Sequence, residues 1–473
     1  MVFLSIEFYL FVLLLICGYY VMPVKHRWWI LLAGSICFYV WLCRNAWWIF
    51  LVTILLSFGM SQVLYRQREN RNNRFSCVLP LLCAGVTALP WLFTKGQFSG
   101  LGFVAPLGIS FYTLQMISYL MDIYRGEIEE PLGFFQYVLY VSFFPQIVQG
   151  PIPRYGQLGT QLYEGHLFDE RTFTKGIHLI LWGFFLKMMI ADKAAVIVDK
   201  IFGTSAAYEG AYILVAGILY SIQLYADFLA CVSMAQGTAG LFGIQLADNF
   251  LHPYMAVSVQ DFWRRWHISL STWLRDYIYI PLGGNRKGKL RKYGNIIITF
   301  LVSGIWHGTG FRYLFWGMMH AVYQIAGGLT RPLREKIYDV LQMKEGDLTR
   351  RILQRAGTFF WVMLAWIIFR ADSLREGIHM IISMFSTWNP WVLFDDSLLN
   401  LGLNGKEWIV LILSVLLWIK VSMTQERICI RDWILEQHVL LRWTIYIGVI
   451  LVIFVYGTYG YGFNAQDFIY GGF

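Results

Sequence analysis

Three histidines and one tyrosine sit where their types and neighbours could do chemistry. His307 lies in SGIWHGTG, His267 in FWRRWHISLS and His320 in FWGMMHA, while Tyr470 is the phenol of the terminal FIYGGF. Imidazole titrates near neutrality, so it can take or give a proton at physiological pH. His307 falls within an otherwise apolar run, where an ionisable side chain is costly to bury and marks function by default. Gly304, Gly308 and Gly310 strip side chains from its surroundings and let another chain or a substrate come close. The competing reading for each histidine is a hydrogen bond to a neighbouring helix, and it applies with more force to His267 and His320. The three lack metal-ligand spacing and no Cys or carboxylate cluster completes a set, so no metal site is expected. No GxSxG elbow, GxxxxGK[ST] loop or GxGxxG turn occurs, which counts against a hydrolase, a nucleotide-driven pump and a dinucleotide enzyme.

The elements that must position these residues are membrane helices. Apolar residues make up 57% of the 473 and charged residues only 14%, against roughly 25% charged in a soluble domain. Apolar runs cover 3–22, 28–43, 46–64, 77–95, 103–123, 134–149, 178–198, 210–230, 293–306, 313–328, 356–370, 407–420 and 441–459. A span needs roughly 20 apolar residues, so about eleven transmembrane helices are expected, with two or three re-entrant or interfacial ones. The first run has no small-residue cleavage site and is followed by Lys25, His26 and Arg27, which reads as a retained span. The Cys residues lie mostly in apolar runs without a CxxC pair, as helix-packing residues do.

The net charge of +9 comes from short loops, chiefly RQRENRNNR (66–74), NRKGKLRK (285–292) and the stretch from Arg331 to Arg355. Such clusters set orientation, because Lys and Arg stay cytoplasmic, and they call for no nucleic-acid partner. Counting spans from them places both termini outside the cytoplasm, and FIYGGF with them. No linker, soluble domain or repeat interrupts the chain, so 1–473 is expected to be one polytopic membrane domain. Residues 245–292 depart from the pattern: Asp261, Arg264, Arg265, Arg275 and Asp276 alternate with Trp263, Trp266, Trp273, Tyr277 and Tyr279. That suits helices lying in or dipping into the membrane around a cavity.

DFWRRWHISLSTWLRDYIYIPLGGNRKGK followed by SGIWHGTGFRYLFWGMMHA resembles the signature of the membrane-bound O-acyltransferase (MBOAT) family, in its bacterial cell-envelope branch of alginate and peptidoglycan O-acetyltransferases. APLGISFYTLQMISYLMDIYRGE, SFFPQIVQGPIPRYGQL and DNFLHPY support it, and the resemblance is strong over about 100–330. It implies an all-α MBOAT fold: a ring of tilted helices around a thinned centre, with a central tunnel joining a cytoplasmic donor side to an outer acceptor side. His307, in WHG, matches the family's catalytic histidine and His267 the second signature position. Trp306, Gly308, Arg264 and Trp266 are then expected to support the tunnel, and His320 to be packing. Where many relatives carry FDFSGYSDMA this chain has ADFLACVSMA (226–235), so Ser233 stands in place of a usual acid while Asp227 is retained.

The expected reaction is transfer of an acetyl group from acetyl-CoA, or another acyl thioester, as donor substrate, with no bound cofactor. His307 would be the general base. An extracytoplasmic acyltransferase partner would hand the group to a polysaccharide. FIYGGF resembles the F-x-Y-x-x-F ending of this branch, which implies Tyr470 as acyl carrier with Phe468 and Phe473 holding the tail (about 460–473) in the tunnel mouth. Read as composition, the same tail is an aromatic anchor against membrane lipid. D-alanyl transfer to teichoic acid is a second reading of the same class. A polysaccharide or lipid transporter is a third, of another class, but it gives no role to the WHG histidine or the terminal tyrosine.

Overall fold

The computed structural model describes residues 3–44, 46–67, 78–95 and 106–459. Helix dominates, and no strand occurs among the described residues. This is the solution expected in hydrocarbon, where each segment must satisfy its own backbone hydrogen bonds. Five described helices are long and apolar enough to cross a membrane: Trp47–Gln67, Ala211–Gly240, Leu348–Arg370, Gly405–Gln425 and Val439–Tyr456. Ile6–Val21 and Val78–Thr94 are shorter apolar helices. Other apolar runs are interrupted from within. The run 178–198 divides into Glu170–Phe185, a π-helical segment Leu186–Ala191 and Asp192–Gly203.

The described residues group into two compact units, one drawn from Met1–Ile180 and Cys231–Asp248, the other from Leu181–Ala230 and Asn249–Ile469. In the first unit Ile109–Arg125 is buried over most of its surface and packs on Trp47–Gln67 and Val78–Lys95. Two of its polar side chains find partners inside: Gln115 donates to the Tyr140 carbonyl at 2.6 Å, and the Tyr119 hydroxyl accepts from the Leu132 amide at 2.7 Å. Arg27 is buried there, and among the described residues no carboxylate pairs with it. It donates to the carbonyls of Met22, Tyr20 and His166 and lies against the rings of Tyr19 and Tyr20.

In the second unit Lys289–His307 turns through three residues into Phe311–Leu329, and the two helices pack closely. Glycine permits this approach. A Cβ on Gly304 would stand 2.4 Å from the Tyr313 carbonyl oxygen, and one on Gly317 2.3 Å from that of Phe300. Leu348–Arg370 also packs on Phe311–Leu329. Ahead of this hairpin, Val259–Arg265 and Ile268–Leu274 meet at a bend whose pivot, His267, has a left-handed backbone at φ +43°. A non-glycine residue there costs about 1–3 kcal/mol. Backbone bonds across the bend hold it: the Ile268 amide donates to Asn249 at 2.9 Å and the Leu251 amide to Arg265 at 3.0 Å. At the other end of the unit, Thr458 donates both its amide (3.1 Å) and its hydroxyl (3.2 Å) to the carbonyl of Met188, inside the π segment.

Candidate functional site

The close glycine contact sets where His307 goes. As the last residue of its helix it is 3% exposed. Three rings meet its imidazole nearly edge-on: Trp306 at 4.8 Å, Trp316 at 5.0 Å and Phe369 at 5.3 Å between centroids. Gly308 keeps the next position bare, since a Cβ there would fall 2.3 Å from the Tyr313 ring.

The rings continue on both sides. Trp306 reaches His267 at 5.9 Å, and Trp316 reaches His320 at 4.9 Å, so the three histidines share one aromatic cluster although 53 residues separate the first from the last. His267 is 1% exposed and packs on Phe228 at 4.9 Å. Asn249 organises its surroundings. Its Oδ1 accepts from the Ser269 amide (3.1 Å) and hydroxyl (2.8 Å) and lies 3.3 Å from His267 Nδ1. His320 is fully buried, and its Nδ1 accepts from Trp263 Nε1–H at 3.1 Å. The neutral ring therefore carries its proton on Nε2.

Of the other residues singled out by sequence, Trp306 is in the cluster and Trp266 is buried just behind it, stacked on Phe262 and packed on Trp366. Arg264 is exposed. Phe468, Tyr470 and Phe473 lie outside the described residues. Among the described residues no three His, Cys, Asp or Glu side chains gather as a metal site would require.

One buried group escaped the sequence reading. Lys187, in the π segment, bridges Asp192 at 2.9 Å and Asp227 at 2.7 Å, with all three side chains 2% exposed. Its signal was available: a lysine in the middle of LILWGFFLKMMIA is as costly as a histidine in SGIWHG. Local turns of π-helix recur in proteins at functional positions, and Arg275–Tyr279, between the His267 bend and the basic loop, is another.

Imidazoles gathered among aromatic rings could offer proton transfer to a group carried to them.

The model of MBOAT, the membrane-bound O-acyltransferase family, matches residues 30–353. A probable alginate O-acetylase of Azotobacter vinelandii is 33% identical over 84% of this chain and 80% of its own length. A peptidoglycan O-acetyltransferase of Helicobacter pylori is 31% identical over 78% and 76%. A teichoic acid D-alanyltransferase of Bacillus subtilis is 28% identical over 54% and 69%. Against alginate relatives from Pseudomonas the chain spans just over half of their length, 53–57%. The chain belongs to the membrane-bound O-acyltransferase family; it is a multi-pass membrane protein and an acyltransferase.

Proposed function

We propose that this chain moves an acetyl group from cytoplasmic acetyl-CoA across the membrane for O-acetylation of an extracellular or cell-wall polysaccharide, with His307 as general base. The observation that carries the proposal is the enclosure of His307 by Trp306, Trp316 and Phe369, one tryptophan away from His267. A hydroxyl brought to His307 would give it a proton as the new O–C bond forms. The C–S bond of the thioester then breaks, and the proton passes from the imidazolium to the departing thiolate. Such base catalysis contributes about 10²–10⁴-fold, and the ring wall limits hydrolysis of the donor. The attacking hydroxyl is assigned to Tyr470, arriving on a tail outside the cytoplasm, and a separate extracytoplasmic transferase completes delivery to the polymer.

Acetyl is favoured because the relatives of higher identity are named for O-acetyl transfer. D-alanyl transfer is the second reading, supported by the teichoic acid relative and by Ser233 in place of a usual acid. The test is alkali-labile acetate on the host's extracellular polysaccharide in cells carrying the intact chain, His307→Ala or Tyr470→Phe at matched membrane levels. Loss with both variants is the expected result. Loss with His307→Ala alone makes the tail an anchor, and retention with both overturns the acetyl-transfer reading.

A further inference from the structure

Two buried polar groups close to His307 go unpaired. The Trp316 indole N–H and the Ser303 hydroxyl are both fully buried, and neither has a hydrogen-bond partner among the described residues. Comparable groups elsewhere in the second unit find partners. Trp263 donates its N–H to His320 at 3.1 Å. The hydroxyls of Ser221, Thr358 and Ser383 turn back onto carbonyls of their own helices, those of Gly217, Gln354 and Met380, at 2.8, 2.8 and 2.9 Å. Ser303 sits in a helix interior of the same kind and leaves its hydroxyl unused. Leaving a buried donor without an acceptor is destabilising, so two of them around one imidazole call for an explanation.

The helix hairpin brings both groups to His307. Ser303 precedes His307 by four residues, one turn along Lys289–His307 and on the same face. Trp316 and His320 repeat that spacing on Phe311–Leu329. The two faces meet: the Trp316 ring lies 5.0 Å from the His307 imidazole, and the His320 ring stacks on Phe300 at 6.0 Å. Ser303 falls between Phe300 and His307 along its helix, so it shares the side of the hairpin that carries Trp316. The close approach at Gly304 and Gly317 fixes this register. An indole N–H can only donate, and a serine hydroxyl can donate as well. What the two can take in common is an oxygen acceptor.

We propose that the Trp316 N–H and the Ser303 hydroxyl hold the carbonyl oxygen of the acyl group while His307 acts on the attacking hydroxyl. The inference rests on the acyl-thioester reading above and adds to it where the charge of the intermediate goes. As the hydroxyl oxygen bonds to the carbonyl carbon, its proton passes to His307 and the C=O π pair moves onto the carbonyl oxygen. The two donors stabilise that oxyanion. When it collapses, the C=O bond re-forms, the C–S bond breaks, and the departing thiolate takes the proton from the imidazolium. Donors fixed in a ring-lined interior favour a developing negative charge over a neutral carbonyl, and they need no reorganisation as the reaction proceeds.

The test uses the full-length protein in nanodiscs, with Trp316→Phe, which removes the N–H and keeps a ring, and Ser303→Ala, which removes only the hydroxyl. Single-turnover release of CoA from acetyl-CoA is followed together with the binding of two stable analogues. S-ethyl-CoA has no carbonyl oxygen, and S-trifluoroacetonyl-CoA is a ketone whose hydrate resembles the tetrahedral intermediate. Each variant is expected to lower the saturated rate about 10²-fold, with the half-saturating acetyl-CoA concentration nearly unchanged. Binding of the ketone should weaken at least about tenfold, while that of S-ethyl-CoA stays within about twofold. Equal weakening of both analogues marks a packing defect and overturns the proposal. An unchanged rate in either variant also overturns it and leaves the acetyl-CoA reading standing. If the wild type releases no CoA and binds neither analogue, the donor reading fails and the oxyanion site falls with it.

Discussion

Around His307 the second unit encloses an ionisable side chain with aromatic rings, whereas around Lys187 it encloses one with carboxylates. The first arrangement surrounds the imidazole with aromatic edges and faces. The second supplies two countercharges at hydrogen-bond distance, which fixes the lysine's charge and ties the π segment to the helix carrying Asp227. A ring cage suits a group that must react. A charge cage suits a group that must stay put.

The sharpest way to break this contrast is to empty the charge cage. Lys187→Met leaves Asp192 and Asp227 facing each other in a buried place, and removing one partner of a buried ion pair costs about 3–5 kcal/mol. Thermal unfolding in nanodiscs should show this loss, with much of it recovered by adding Asp192→Asn and Asp227→Asn, while His307→Ala, which strands no charge and loses only ring packing, should lower the unfolding temperature less. A Lys187→Met protein that is fully stable but inactive would move the lysine into the chemistry and erase the distinction. Next in size is Asn249→Ala, which removes the acceptor shared by the Ser269 amide and hydroxyl. It should cost about 1–3 kcal/mol and, by loosening the bend at His267, lower acyl transfer about tenfold.

Smaller effects sharpen the ring cage. His320→Ala strands the Trp263 N–H in the interior and should destabilise by about 1–3 kcal/mol, whereas His320→Asn still offers an acceptor and should recover part of that. If Asn restores folding and acyl transfer together, His320 is a packing residue; restored folding with transfer still absent would give its imidazole a chemical role. Arg264→Ala, at an exposed position, should change stability by no more than about 0.5 kcal/mol.

The helical membrane fold was legible because apolar runs repeat along the whole chain, and a close approach around His307 was legible from the glycines beside it, although its place at a helix end was not. The number of spans was less so. Hydropathy sums over a window and does not register a π turn such as Leu186–Ala191, which divides the run 178–198 without making it polar. The pairing of Lys187 with Asp227, 40 residues away, depends on two helices meeting and leaves no local pattern. His267 shows the same limit on a smaller scale. The RRWH motif marked the residue, but nothing in its side chain announces a left-handed backbone, which is imposed by the Asn249 and Arg265 carbonyls that close the bend.

The double hydrogen bond from Thr458 to Met188 fixes a point of departure for the last part of the chain. Tyr470 follows twelve residues later, and fully extended backbone gains at most about 3.6 Å per residue, so its Cα stays within about 43 Å of that clasp and its hydroxyl one side-chain length beyond. On the carrier reading, the acceptor is thus a leashed reagent. Confinement to that radius corresponds to an effective concentration on the order of millimolar, set by chain length alone, and lengthening the leash beyond Thr458 should dilute the hydroxyl without touching a single residue of the histidine cluster.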